Sequence, residues 1–270
     1  MTPVNLSQLK DIRRVLGEPY YENDCVLLYH GDCRQFMQEL SGRVRFPLTI
    51  TSPPYNIGKE YEKPLPLEEY LAWCEAWLHE LWDVTEATGA LWLNLGYVPV
   101  PNSAKALPLP YLLWNRSPFY LIQEVVWHYE AGVAASKSLS PRNEKWLWFV
   151  KDSSEYHFNL DAIRDPDVKY PNQKKNGIIK VNSIGKNPSD VWRIAKVTSG
   201  SMRSSKERAP HPAQFPMELI QRIVLGFSAM GDVVLDPFMG SGTVADVAMR
   251  NGRQAVGFEA AVEMGIAPNC

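Results

Sequence analysis

The chain has 270 residues, of which 45% are hydrophobic and 21% charged, an ordinary globular composition that argues against disorder and suffices for one large core or two small ones. No window approaches the roughly 18 apolar residues of a membrane span, and Lys10, Arg13 and Arg14 are not followed by the apolar core of a secretion signal, so an uncleaved cytoplasmic protein is expected. The net charge of −2 does not by itself favour nucleic acid, and the four cysteines (Cys25, Cys33, Cys74, Cys270) lack the C-x-x-C spacing of a zinc site.

Residues 1–20 show weak patterning, at most a short helix around Leu9, Ile12 and Val15-Leu16. Cys25 to His30 reads as a buried strand, and Gly31-Asp32-Cys33 turns it into a helix through Leu40. Asp32 then stands at a strand's carboxyl end, where its chemistry suits a helix cap. The run Pro47-Leu48-Thr49-Ile50 is a second buried strand, and it stops at Thr51-Ser52-Pro53-Pro54-Tyr55. Proline fixes φ and donates no hydrogen bond, and Pro53 keeps Ser52 extended. The Ser52 hydroxyl and the Ser52 and Pro53 carbonyls can therefore form a fixed group of acceptors, with Tyr55 as a flat face beside them. Such a group suits a planar substrate with an exocyclic amine, as cytosine and adenine are. Taken alone, the same residues also describe a proline-stiffened loop with an ordinary tyrosine.

The polar stretch from Asn56 to Lys63, with Lys59, is expected to be an exposed loop next to that pocket. A helix follows from Leu67 to Glu86, whose Tyr70, Leu71, Cys74, Trp77, Leu78, Leu81 and Trp82 share one face and read as core rather than stacking platforms. Strands are expected at Ala90–Leu95, Leu121–Trp127 and Lys145–Lys151, with a short helix at 108–118. Between Ser153 and Ala209 the apolar periods fade. Eleven basic residues stand against four acidic ones from Arg164 to Arg208, a local balance of +7 that leaves −9 on the rest. This segment suits a phosphate-facing insertion, or else a solvated loop region. His211-Pro212-Ala213-Gln214-Phe215-Pro216 leads into a helix from Met217 to Ala229. Asp232 to Asp236 is a buried strand, Gly240 and Gly242 let the following turn approach a ligand, and a helix begins at Thr243. Gln254 to Glu259 is the next strand, with Glu259 at its end to accept from ribose hydroxyls or to lie on the surface. Alternating strands and helices imply an α/β fold, a mostly parallel twisted sheet with helices on both faces.

Two stretches, Ser52-Pro53-Pro54-Tyr55 and Asp236-Pro237-Phe238-Met239-Gly240-Ser241-Gly242-Thr243, resemble the DNA amino-methyltransferases, and their order resembles the permuted, beta-type group of this N4-cytosine and N6-adenine family. The resemblance spans roughly residues 25–260. It implies a Rossmann-like, S-adenosylmethionine-dependent enzyme in which Ser52, Pro53, Pro54 and Tyr55 hold a flipped base. Asp32, Thr51, His211, Pro212, Phe215, Asp236, Pro237, Phe238, Gly240, Ser241, Gly242, Thr243 and Glu259 would serve the cofactor, Asp32 near the adenine and the His211–Phe215 run against the methionine end. It also implies catalytic and cofactor halves at 1–152 and 210–270, separated by a target-recognition insertion at 153–209. The insertion runs Asn187 to Trp192 and Lys196 to Gly200 are similar to the family there. Duplex DNA would be met by Lys59, Lys174, Lys175, Lys180, Lys186, Arg193, Arg203, Lys206 and Arg208, and a cognate restriction endonuclease would share the host. The expected reaction is methylation of cytosine N4, because Ser52 can both accept from the amine and donate to the adjacent ring nitrogen; adenine N6 is the alternative. Enzymes that methylate protein glutamine or RNA bases, and a non-catalytic DNA-binding relative, are further readings. Relatives continue past the acid equivalent to Glu259 with a helix, so cover on the ribose side is expected to be short here. Nothing in the sequence separates a monomer from a homodimer.

Overall fold

Thirteen short strands carry the β-branched and aromatic runs of the chain, in a computed structural model that describes residues 6–59, 63–129, 132, 134–197, 205–209, 211 and 213–260. They are β1 (Tyr21–Glu22), β2 (Val26–His30), β3 (Phe46–Thr51), β4 (Thr85–Leu95), β5 (Tyr97–Val100), β6 (Ala104–Pro108), β7 (Tyr120–His128), β8 (Asn143–Val150), β9 (Lys174–Lys175), β10 (Ile178–Ile179), β11 (Val191–Arg193), β12 (Val233–Asp236) and β13 (Gln254–Glu259). The helices are α1 (Leu6–Leu16), α2 (Cys33–Leu40), α3 (Leu67–Asp83), α4 (Pro110–Leu113), α5 (Met217–Phe227) and α6 (Thr243–Arg250). Nine strands form one sheet in the order β1-β2-β13-β12-β3-β4-β8-β7-β11. Its centre, β2-β13-β12-β3-β4, is parallel throughout; β8 runs antiparallel to β4 and to β7.

Period-two alternation sends neighbouring residues to opposite faces, and both faces are apolar because helices cover both. Leu27, Tyr29, Leu91 and Leu93 pack against α1, α2 and α3, through Ile12, Met37, Trp77 and Leu78. Val26, Leu28, Leu48 and Trp92 pack on the other side against α5 and α6, through Ile220, Ile223, Val244 and Val247. Trp92 anchors this second core, stacked against Trp148 and Trp192 with ring centroids 5.9 and 5.4 Å away. Truncating such a side chain to alanine costs about 3–5 kcal/mol, so this stack fixes the far half of the sheet.

Three expectations change. The proposed helix at 108–118 shrinks to one turn, α4, because the β5–β6 hairpin claims Pro108 and Pro110 opens the helix. Strand β4 begins at Thr85, where Ala90 was expected. The segment 153–209, expected as an insertion or a solvated loop region, joins the sheet in part: β11 pairs parallel with β7 as the edge strand, and Trp192, Ile194 and Val197 are buried. No helix among the described residues is long and apolar enough to cross a membrane.

Candidate active site

The five parallel strands end along one edge and deliver Asp32, Glu259, Asp236, Ser52 and Asn94 to a single cleft of about 820 Å³. Carboxyl edges of open parallel sheets are where such folds bind ligands. The two motifs meet because β3 and β12 are neighbours. Thr51 Oγ1, at the end of β3, donates to Asp236 Oδ1, at the end of β12, across 2.8 Å. Burial above all pushes the Asp236 carboxyl up to about 7; the bonds from Thr51 and Phe238 N oppose that shift, and the charge of Glu259 adds to it. Thr51 is fully buried, and its hydroxyl braces Asp236 at the end of the neighbouring strand.

On the glycine side, Gly240 has φ 51° and Gly242, in the left-handed region, caps α6 with φ 76°. Gly240 N donates to Glu259 Oε2 at 2.8 Å, and Met239 N donates to the Phe258 carbonyl at 2.9 Å, so the turn is tied to the end of β13. A Cβ on Gly240 would stand 3.1 Å from the His211 ring. His211 therefore closes the turn from outside; burial lowers its imidazole pKa, and Glu259 opposes this. Phe238 sets its ring edge-on to Trp73 and Trp77, with centroids 5.7 and 5.3 Å apart. Asp32 serves as the cap of α2, accepting from Arg34 N at 2.9 Å, and also lines the cleft. Pro237, Ser241 and Thr243 line it as well, and the last two share a hydroxyl hydrogen bond of 2.9 Å. Gly242, between them in sequence, gives the turn its left-handed step into α6. Phe215 lines the cleft while packing on Trp127 and Trp146, and Pro212 lies outside the described residues.

On the tetrapeptide side, the Ser52 hydroxyl donates to the Tyr55 hydroxyl at 3.0 Å, and Tyr55 donates to Asn94 Oδ1. Asn94 Nδ2 in turn donates to the Lys145 carbonyl at 3.2 Å. Tyr70 donates to the Pro54 carbonyl at 2.7 Å and pins the proline turn. The ring of Tyr55 lies on Gly96, where a Cβ would approach it to 2.6 Å. With no base bound, the Ser52 hydroxyl is directed to Tyr55. Beside this chain, Glu144 lies 3.5 Å from the Tyr55 hydroxyl and pairs with Lys196 at 3.1 Å. The Lys196 ammonium stands 3.8 Å from the centre of the Tyr129 ring. Asn94, Glu144, Lys196, Tyr129 and Trp73 all line the cleft and were missed as site residues by the sequence reading. A polar residue inside the apolar run Ala90–Leu95 was the one available signal, for Asn94.

The expected DNA contacts scatter. Lys59 is exposed at the cleft. Lys174 and Lys175 form β9, and Lys180 and Lys186 border a second cavity of about 390 Å³ with Arg164 and Lys169. Lys186, itself exposed, pairs with Asp165 at 3.1 Å and donates to the Asp167 carbonyl. Arg193, Lys206 and Arg208 are exposed. Arg203, Thr198-Ser199-Gly200 and the residues after Ala260, where a covering helix was considered, lie outside the described residues.

With this geometry in view, the comparisons agree. The chain is 58% identical over 253 residues to the Type II methyltransferase M.ScaI of Streptomyces caespitosus, covering 94% of this chain and 83% of that protein. It is 32% identical over 257 residues to the DNA adenine methyltransferase YhdJ of Escherichia coli strain K12, covering 88% and 80%. Its fold is similar to that of PvuII DNA methyltransferase (cytosine-N4-specific), with a TM-score of 0.72 at 18% identity over 94% of this chain and 90% of that one. It is also similar to the Thermus thermophilus protein TTHA0409 complexed with S-adenosyl-L-methionine, with a TM-score of 0.58 at 23% identity over 88% of each chain. Residues 46–264 match the N6_N4_Mtase family of DNA methylases, and the chain belongs to that family.

Proposed function

We propose that this DNA methylase transfers a methyl group from S-adenosylmethionine to the exocyclic N4 of a cytosine flipped out of duplex DNA, with adenine N6 as the alternative. The observation that carries the reading is the Thr51–Asp236 hydrogen bond, which joins an amine-accepting tetrapeptide and a glycine turn at one cleft. The cofactor fits the glycine side: Gly240 and Gly242 shape a turn tied to the end of β13, Glu259 presents a carboxylate, and Phe238 with Trp73 forms an aromatic wall. When bound, S-adenosylmethionine supplies an electrophilic methyl group on a sulfonium.

The remaining chemistry belongs to the chain. An exocyclic amine shares its lone pair with the ring, so it attacks poorly until acceptors draw on its protons. Ser52 Oγ and the Pro53 carbonyl are assigned that role, and Tyr55 offers a face to the base. Fixing amine and methyl donor in one cleft supplies much of the rest. Ser52 supports cytosine because it is neutral. Positive charge grows on the base during transfer, and cytosine, with the more basic ring nitrogen, carries that charge with less help from a charged acceptor. Among the similar proteins, the name of one specifies adenine and that of another cytosine-N4.

Residues 153–209 are assigned to target recognition between the two halves of the core, with Lys174, Lys175 and Lys180 toward phosphates, and a cognate restriction endonuclease as the partner activity. Two measurements test the reading. Calorimetry should show S-adenosylmethionine binding to wild type and to Ser52→Ala alike. Turnover on DNA should fall by about 10²–10³-fold in Ser52→Ala, the scale for removing one group that acts mainly in the transition state. Wild-type turnover in that variant would remove Ser52 from the mechanism.

A further inference from the structure

Resting on the amine-methylation reading, we propose that Asn94 is a positioning residue that sets the direction of the protons in the Ser52–Tyr55 pair, so that Ser52 Oγ faces the target amine as an acceptor. Asn94 is fully buried at the end of β4. Its amide has one consistent orientation. The Lys145 carbonyl, 3.2 Å away, can only accept, so it must face the Asn94 NH₂; the flipped amide would set two acceptors against each other. Asn94 Oδ1 is thereby turned to the Tyr55 hydroxyl.

Tyr55 has one hydroxyl proton, and both sheet groups that face it, Asn94 Oδ1 and Glu144 Oε2, are acceptors. Its oxygen is left to accept from Ser52 at 3.0 Å. The single proton of Ser52 is then committed, while its lone pairs remain for the cleft that it lines. Donation thus runs one way, from Ser52 to Tyr55 to Asn94 to the Lys145 carbonyl. An amine N–H presented to Ser52 meets an acceptor. A ring nitrogen presented there meets no proton. The base is therefore seated with its amine, not its ring nitrogen, on Ser52, and a buried neutral amide specifies that seating from two residues away in the hydrogen-bond chain.

The test uses the full chain and single-turnover methyl transfer from labelled S-adenosylmethionine to plasmid DNA. Asn94→Leu removes both ends of the amide, and its transfer rate is expected to fall about 10–100-fold while cofactor affinity stays within about twofold. Asn94→Asp, whose buried carboxyl when protonated keeps both a donor for the Lys145 carbonyl and an acceptor toward Tyr55, is expected to recover most of that loss toward the acidic end of the pH range, which a purely packing role would not produce. In a double-mutant cycle, Asn94→Leu should have no further effect once Tyr55→Phe has broken the chain. Melting temperatures check folding, and Asn94→Ala repeats the cycle if the leucine variant does not fold. A wild-type rate in Asn94→Leu, an aspartate variant as slow as the leucine one across the pH range, or independent effects in the cycle would each overturn the proposal. A wild-type protein that methylates no DNA overturns the parent reading, and this one with it.

Discussion

Gly96→Ala is expected to displace the ring of Tyr55 and slow methyl transfer without touching the cofactor side of the cleft. A Cβ at Gly96 would lie 2.6 Å from Tyr55 Cε2 and 2.8 Å from Cδ2, where ordinary contact begins at 3.4 Å, so the ring must retreat by about 0.8 Å. The backbone offers no objection, since Gly96 is not among the positive-φ glycines. The ring cannot swing away freely, because its hydroxyl is bonded to both Ser52 and Asn94. Displacements near 1 Å at a reacting centre cost on the order of 10²-fold in rate, so a fall of that size is expected. The assay is single-turnover transfer of labelled methyl to DNA, with calorimetry of S-adenosylmethionine as the control expected not to change. Full activity in Gly96→Ala would refute the claim that Tyr55 is seated between Gly96 and Ser52.

Gly240→Val should abolish cofactor binding in calorimetry, since the position has φ 51° and its Cβ would press on His211 at 3.1 Å; retained affinity would place the site elsewhere. Exchanging Lys174, Lys175 and Lys180 together for glutamine should weaken binding to all DNA sequences and lower the salt slope by about one unit per lost phosphate contact, measured by titration at several salt concentrations. An unchanged slope would show that these lysines face solvent. Asp236 has a folded pKa of about 7, above its ordinary 3.8, so between those values the folded state retains a proton that the unfolded chain has released. Its effect is to lower stability as pH rises through that window. Melting temperatures of Asp236→Asn relative to wild type should therefore rise from pH 4 to pH 7, and a flat difference would contradict the buried, raised carboxyl.

The fold was legible where burial on both faces makes a strand a continuous apolar run. Val26–His30, Val233–Asp236 and Gln254–Glu259 are found within a residue of their expected bounds. The cleft was legible in its two motifs because each joins a strand end to a turn forced by proline or glycine. Side-chain direction was less so. Thr51 and Ser52 are adjacent, but the strand's alternation turns the first into the core and leaves the second at the cleft. Glu144 and Lys196 were invisible for a different reason. Strand β8 is antiparallel to β4, so its first residues reach the same edge as the last residues of β4, and only the topology puts Glu144 beside Tyr55. Lys196 follows an edge strand that its short, partly exposed sequence did not announce.

Nucleoside analysis of treated DNA tests the central claim most directly. Plasmid DNA incubated with purified protein and S-adenosylmethionine, digested and separated by mass, is predicted to contain N4-methylcytosine, and to lack it when Ser52→Ala replaces wild type. N6-methyladenine in its place would contradict the base assignment while leaving the amine chemistry standing. The absence of any methylated exocyclic amine from DNA treated with folded, cofactor-binding protein would contradict the account itself.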